Sequence, residues 1–107
     1  RNFQSATPTN TSVSGRTMRI EFGTGGLAGD TGASNVTETV TFSSAFATFR
    51  AVYITCLDQA CAFGGSRSLV SAFSAGTTTF TAGASTAGGA NFINTTTGNY
   101  YWLAIGE

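Results

Sequence analysis

Apolar and polar residues alternate along several short segments of the chain. In the first of them Met18, Ile20 and Phe22 alternate with Arg19 and Glu21. A period of two places successive side chains on opposite faces of a strand, so the segment predicts a half-buried strand with an apolar face.

Two further strands follow in the next 30 or so residues. The segment VTETVTF places Val36, Val40 and Phe42 on one face, which Glu38 shares, and threonines on the other. The segment FRAVYITC (49–56) is apolar on both faces, which is typical of a central strand covered on both sides.

The second half of the chain continues the pattern of short strands separated by turn residues. Residues 66–74 and 77–83 predict a hairpin that turns at Ala75 and Gly76, residues 90–94 predict a short strand, and residues 100–106 predict the last one. Residues 23–35 and 81–90 are rich in glycine and small residues, and both predict long loops, the second one lining an interface. About seven or eight short strands indicate an antiparallel β-sandwich or a small barrel.

Residues 1–15 are polar and show no periodicity, which predicts a connector ahead of a domain that spans residues 16–107. A chain of 107 residues is enough for one core and too short for two. Because the sequence begins with Arg1, we expect it to be a fragment or a processed product.

The composition supports an all-β fold and excludes several classes of partner. Threonine, serine, glycine, asparagine and nine phenylalanines dominate, while 9% of residues are charged and the net charge is zero. There is no basic patch of the kind that binds nucleic acid, and no apolar run long enough for a membrane helix. The hydroxyl-rich surface favours an extracellular or virion protein.

The sequence offers little chemistry for catalysis, so we expect no enzymatic activity and no cofactor. It has no histidine, and its five carboxylates are scattered. Gly23, Gly25 and Ala28 match the dinucleotide pattern GxGxxA, but no helix can follow them, so a turned loop is the better interpretation. Asp30 alone is a poor calcium site, and we expect no metal.

The two cysteines, Cys56 and Cys61, are separated by four residues. This spacing fits neither a redox CxxC motif nor a zinc ribbon. Two interpretations stay open, a small disulfide that clamps a turn and a pair of buried thiols.

Three segments in order resemble the C-terminal tip domain of tailed-phage tail fibres. They are MRIEFGTG, VTETVTFSSAF and the closing YYWLAIG, and together they cover residues 18–106. Members of that family often have a proline where this chain has Ser43 and Ser44, and the cysteine pair is not a family landmark.

The resemblance implies a β-sandwich that forms a homotrimer at the end of a fibre and adheres to a bacterial surface. The receptor would be a lipopolysaccharide, a capsule glycan or an outer-membrane protein, and the protein would be located in the virion. It also implies that the closing strand is locked into the sandwich, with Trp102, Ala104 and one or both of Tyr100 and Tyr101 in the core or at a subunit interface.

Candidate receptor-binding residues lie on predicted loops, since binding sites usually sit on loops carried by a rigid scaffold. A first group surrounds the cysteine turn and a second group lies near the last strand: Asp58, Gln59, Phe63 and Arg67, then Asn91, Asn94 and Tyr100. Each also has an ordinary structural interpretation, Phe63 as core, Arg67 as a solvated charge and the asparagines as turn formers.

Three other functions compete with host attachment. The domain could be a purely structural trimerisation or capping module of a fibre. It could be a secreted carbohydrate-binding module from an unrelated system. A glycan depolymerase is the enzymatic alternative, and it would need paired carboxylates that this sequence scarcely provides.

Overall fold

A computed structural model of the chain describes residues 9–13, 16–57 and 62–107, and the side chains from residue 18 onward within these ranges. The described residues form eight β-strands and no helix. The strands are β1 (Thr9–Val13), β2 (Arg16–Ala28), β3 (Asn35–Thr41), β4 (Phe49–Cys56), β5 (Ala62–Phe63), β6 (Ser66–Phe73), β7 (Thr79–Thr86) and β8 (Thr97–Gly106).

The strands form two four-stranded sheets, in the orders β1-β2-β8-β4 and β3-β7-β6-β5, with antiparallel pairing throughout. We name them the β8 sheet and the β7 sheet after a central strand of each. The core lies between them, so the fold is the predicted antiparallel β-sandwich.

Strand β8 is hydrogen-bonded on both sides, to β2 and to β4. Its residues alternate strictly, and Tyr100, Trp102 and Ala104 point into the core while Tyr101 and Leu103 point away from it. The closing strand is therefore fixed by two ladders and by its buried rings, which confirms the prediction for Trp102 and Ala104.

The core is mainly aromatic. Phe42 and Phe80 pack on Trp102, with ring centroids 5.9 and 5.5 Å from the indole, and Phe46 meets Phe42 edge to face at 4.9 Å. Alanines complete the layer, with Ala82 fully buried on β7. The small residues let the two sheets approach while the rings fill the space between them.

Glycines of the β8 sheet make room for the largest rings. Gly23 is the cross-strand neighbour of Trp102, and a Cβ atom at residue 23 would lie 2.9 Å from the indole. Gly98 likewise lies against the ring of Phe63. A side chain at either position would collide with the core, so these glycines serve close packing within a strand.

Several predicted boundaries were wrong. Strand β2 continues to Ala28 and β7 continues to Thr86, so much of the two predicted loops at 23–35 and 81–90 is strand. Residues 90–94 form no strand. Strand β1 lies within residues 1–15, and their role as a connector ahead of the domain stays a prediction.

Two strands have surroundings that differ from those predicted. Strand β4 pairs with β8 on one side and is an edge of its sheet, not a central strand. In β2 the inward-facing residues are Glu21, Gly23 and Gly25, whereas Phe22 points outward and is 40% exposed. The apolar face of β2 therefore faces away from the core, the reverse of what the alternation predicts.

Candidate functional site

Two surfaces of the sandwich differ from an ordinary polar exterior. One is the outer face of the β8 sheet, and the other is the end of the sandwich where β2 and β7 finish and β8 begins. The first is apolar and the second is built from polar loops.

The outer face of the β8 sheet is formed by three adjacent strands. Its residues, placed side by side by the strand register, are Ile20, Phe22 and Thr24 on β2, Tyr101, Leu103 and Ile105 on β8, and Ala51, Tyr53 and Thr55 on β4. Tyr53 is 62% exposed and Tyr101 is 38% exposed. A shallow apolar depression of about 380 Å³ lies among Phe22, Tyr53 and Leu103.

The outer face of the β7 sheet is different. Its two strands β3 and β7 present Thr37, Thr39 and Thr81 to solvent, with Asn35 and Ser85 paired at one end. Large apolar side chains occur there on β6, where Leu69 is 69% exposed and Phe73 is 45% exposed.

The polar end of the sandwich, which we call the loop end, comprises residues 29–34, 64–65 and 87–96. Main-chain hydrogen bonds hold these segments together, since Thr96 O accepts from Gly29 N and Gly64 N while Gly64 O accepts from Asn94 N. Gly64 has a φ of 57° and lies against Gly29, where no side chain would fit. The loop end is therefore rigidly built from backbone contacts.

A polar cleft of about 540 Å³ opens beside these loops, between the end of β2 and the start of β3. Asp30, Asn35, Glu38 and Thr95 contribute its polar groups. Asp30 also accepts a hydrogen bond from Gly32 N at 2.8 Å, which closes a tight turn. Asn35 and Thr95 are not among the candidates predicted from the sequence, because the β2–β3 proximity that forms the cleft is a tertiary feature.

The structure brings several predicted site residues to the loop end. Asn91 and Asn94 are exposed there, and the exposed Arg67 lies beside it on β6, where its main-chain oxygen accepts a hydrogen bond from Ala87 N. Asn94 Oδ1 accepts from Thr96 N at 2.9 Å, which leaves its amide nitrogen facing Gly65.

Two predicted site residues are core residues instead. Phe63 is 1% exposed and Tyr100 is fully buried, so neither side chain is available to a receptor in this structure. The predicted sites Asp58 and Gln59 lie outside the described residues. Leu57, which precedes them, donates a hydrogen bond from its N–H to Asn99 O on β8.

Two glutamates face the interior. Glu38 accepts a hydrogen bond from the hydroxyl of Tyr100, and the fully buried Glu21 accepts from the main-chain N–H and hydroxyl of Ser43. Burial, reinforced by the bond to Glu38 and by its negative charge, raises the pKa of Tyr100 well above its ordinary range. Both pairs link the two halves of the sandwich across the core.

Cys56 is disulfide-bonded. The chain has one other cysteine, Cys61, which lies outside the described residues. This favours the clamped turn over the free thiols. Within the described ranges no cluster of His, Cys, Asp and Glu could hold a metal ion, and no helix could cross a membrane.

No protein-family model matches the chain, and no curated protein matches its sequence. Solved structures do match the chain. The tailspike protein gp49 from Pseudomonas phage LKA1 aligns with a TM-score of 0.72 and 28% identity, over 82% of this chain and 15% of that one. The domain has the fold of a part of this phage tailspike.

Two pyocin structures have the same fold. The P. aeruginosa R1 pyocin fibre aligns with a TM-score of 0.62 and 17% identity, over 85% of this chain and 24% of that one. An N-truncated R1-type pyocin tail fibre aligns with a TM-score of 0.64 and 15% identity, over 94% of this chain and 86% of that one. The chain thus spans less than a quarter of the length of the tailspike and of the longer pyocin fibre.

Proposed function

We propose that this domain is the receptor-binding tip of a phage tail fibre or tailspike, and that it attaches the virion to the bacterial surface as a homotrimer. The observation that carries the proposal is the fold shared with a phage tailspike and two pyocin tail fibres. The receptor is a cell-surface glycan or an outer-membrane protein.

The loop end is the part of the domain that suits recognition. It exposes Asn91 and Asn94 on loops that are held by main-chain bonds, Arg67 lies beside it at the start of β6, and a polar cleft adjoins the loops. A preorganised loop loses less conformational entropy on binding than a mobile one. Asp58 and Gln59 follow the disulfide-bonded Cys56 in the sequence, and we include them in the proposed surface.

The test is an adsorption-competition assay with the isolated chain. The purified protein is added to cells before the parent phage, over a panel of strains that begins with Pseudomonas, and phage adsorption is counted. Competition on susceptible strains supports attachment. If saturating protein leaves adsorption unchanged on every strain that the phage infects, the proposal is wrong.

Variants then locate the surface. Asn91→Ala with Asn94→Asp removes two amide donors while keeping an oxygen at residue 94 for Thr96 N, and we expect weaker competition. The matched control is Thr77→Ala with Thr78→Ala, two exposed side chains at the opposite end of the sandwich. Equal competition by both double variants would remove Asn91 and Asn94 from the site. The double variant Asp58→Ala with Gln59→Ala tests those two residues in the same assay.

A structural trimerisation module is the second candidate function, and the apolar outer face of the β8 sheet favours it. The two functions are separated by the same assay, since a purely structural module assembles but does not compete for cells. Release of reducing sugar from capsule would instead indicate a depolymerase.

A further inference from the structure

The polar cleft lies on one flank of the sandwich, between the end of β2 and the start of β3. Among the described strands, β2 pairs with β1 only as far as Ile20, and β3 pairs only with β7. Both strands therefore have an open edge on this flank, and an open edge presents main-chain N–H and C=O groups. The volume of the cleft, about 540 Å³, is within the range of about 300–1,000 Å³ that is typical of small-molecule sites.

Glu38 is the polar group of the cleft that is held most firmly. It is partly buried on the inward-facing side of β3, and it lines the cleft. Its Oε1 accepts a hydrogen bond from the hydroxyl of the core residue Tyr100, and a Cβ atom at residue 25 would lie 2.7 Å from that oxygen. Because the carboxylate is held from the interior, it is oriented before a ligand arrives, which lowers the entropic cost of binding.

The other polar groups of the cleft complement this carboxylate. Asp30 supplies a second carboxylate, whose Oδ1 is oriented by the hydrogen bond from Gly32 N. Asn35 Oδ1 accepts from the hydroxyl of Ser85 at 2.5 Å, which leaves the amide nitrogen of Asn35 as a donor, and Thr95 adds a hydroxyl. Two carboxylates, an amide donor and a hydroxyl match a ligand that carries several hydroxyl groups.

The charge of the cleft restricts the ligand further. Among the described residues that line it, Asp30 and Glu38 are acidic and none is basic. A phosphate, sulfate or uronic acid group would be repelled by the two carboxylates, whereas a hydroxyl or ammonium group can donate hydrogen bonds to them. The cleft is therefore suited to a neutral or amino sugar and unsuited to an acidic one.

The lining favours a sugar over a protein side chain. None of the large apolar side chains that are exposed in the described chain lines the cleft, and Leu27, which does line it, is 3% exposed. Protein partners are usually anchored by large apolar or aromatic side chains seated in apolar pockets, and this cleft offers them no matching surface.

We propose that the cleft holds one sugar unit of a bacterial surface glycan, and that this unit is a neutral or amino sugar without an acidic group. The inference rests on the proposed function for the presence of a glycan, while the preference for an uncharged or cationic unit is argued from the cleft itself. Lipopolysaccharide and capsule can both supply such a unit, and the experiment distinguishes them.

The experiment titrates the isotope-labelled chain with single sugars and follows its main-chain amide signals by nuclear magnetic resonance. Glucose, galactose and mannose are each used in the neutral form, as the amino sugar and as the uronic acid, so that charge changes on a constant ring. Neutral oligosaccharides prepared from the lipopolysaccharide and from the capsule of a susceptible strain are titrated separately. Shifts with either preparation identify the source.

We expect at least one neutral or amino form to shift the amide signals of residues 26–30 and 35–38 at concentrations up to about 100 mM, since a single sugar in one site binds weakly. The acidic form of the same sugar should bind at least about tenfold more weakly, because its charge is brought close to like charges.

A charge-removing variant tests the origin of this preference. Asp30→Asn removes one negative charge and keeps an oxygen for Gly32 N, so it should narrow the difference between the neutral and acidic forms severalfold. The matched control is Glu107→Gln, which removes the same charge near Arg50 at the opposite end of the sandwich and should leave the difference unchanged.

Four results would overturn the inference: no sugar or oligosaccharide shifts the cleft signals, the shifts are confined to residues outside the cleft, the acidic forms bind as tightly as the neutral ones, or Asp30→Asn behaves like Glu107→Gln. A chain that gives any of these results and still competes for cells leaves host attachment standing. A chain that binds sugar in the cleft and does not compete for cells supports the inference and refutes host attachment alone.

Discussion

Trp102 is the side chain whose removal tests the packing most directly. Trp102 is 3% exposed, and its indole packs against the rings of Phe42 and Phe80, on an inner strand of the β8 sheet. The residue opposite it on β2 is Gly23, which has no side chain that could move into the space. Trp102→Ala therefore leaves a cavity that the surrounding structure cannot fill by relaxation.

The magnitude follows from that geometry. Truncation of a buried Trp or Phe to Ala costs about 3–5 kcal/mol, and a site that cannot collapse falls in the upper half of the range, at about 4–5 kcal/mol. Domains of this size have a free energy of unfolding of about 5–15 kcal/mol. With a urea slope of about 1.5 kcal/mol/M, the unfolding midpoint should fall by about 3 M.

The assay is urea unfolding followed by far-ultraviolet circular dichroism, because the substitution removes the only tryptophan and with it the fluorescence probe. All samples are compared at one chain concentration, since assembly adds concentration-dependent stability. The control is Leu69→Ala, which truncates a side chain that is 69% exposed and should move the midpoint by a few tenths of 1 M. A Trp102→Ala midpoint as close to wild type as that of the control would refute the placement of the indole in the core.

Three other predictions concern the same core. Gly98→Ala drives a methyl group into the ring of Phe63 and should cost about 1–3 kcal/mol, whereas Gly88→Ala meets no atom within 4 Å and should be near neutral in the same urea assay. Tyr100→Phe removes the donor to Glu38 and should cost about 1–3 kcal/mol at pH 7, which the urea midpoint measures and an unchanged midpoint would contradict. The pKa of Tyr100 is raised in the folded chain, so the contribution of its hydroxyl to the free energy of unfolding is complete below the unfolded pKa of about 10 and is lost as pH rises above it. The wild type should therefore lose stability between pH 9 and pH 11 more steeply than Tyr100→Phe. Equal slopes of stability against pH would count against this linkage.

The periodicity of β3 was enough to predict its faces. In β3 the alternate residues Val36, Glu38 and Val40 are the less exposed ones. The prediction was correct because large side chains of β3 itself face the core. For β8 the burial of Trp102 and Ala104 was expected from the family resemblance, and every second residue of the strand is buried.

The face of β2 could not be predicted in this way, since its core side is occupied by rings from the neighbouring strand. Gly23 lies opposite Trp102 and Gly25 lies opposite Tyr100, and the ring of each partner occupies the space where a side chain of the glycine position would lie. The alternation in the sequence reports an apolar face, but it does not say whether that face meets the core or another molecule. The same limit explains β4, which is apolar on both sides and yet is an edge strand.

The predicted site residues also include some whose position could be predicted from the sequence and some whose burial could not. The loop position of Asn91 and Asn94 agrees with their interpretation as turn formers, whereas Arg67 lies on β6, beside the loop end. The burial of Phe63 depends on Gly98, which lies 35 residues away in the chain and leaves room for the ring. A glycine that accommodates a distant ring carries no local signal, so sequence alone did not separate the buried aromatic residue from the exposed ones.

The proposed recognition surface and the apolar outer face of the β8 sheet use different parts of the strands. The loop end is formed by the segments that join strands, whereas the outer face of the β8 sheet is formed by the strands themselves. Loop residues such as Asn91 can therefore change without altering the ladder between β2 and β8 or the side chains on the outer face. Under the proposed function, receptor preference can vary while the outer face is kept, because that face depends on strand alternation and not on loop sequence.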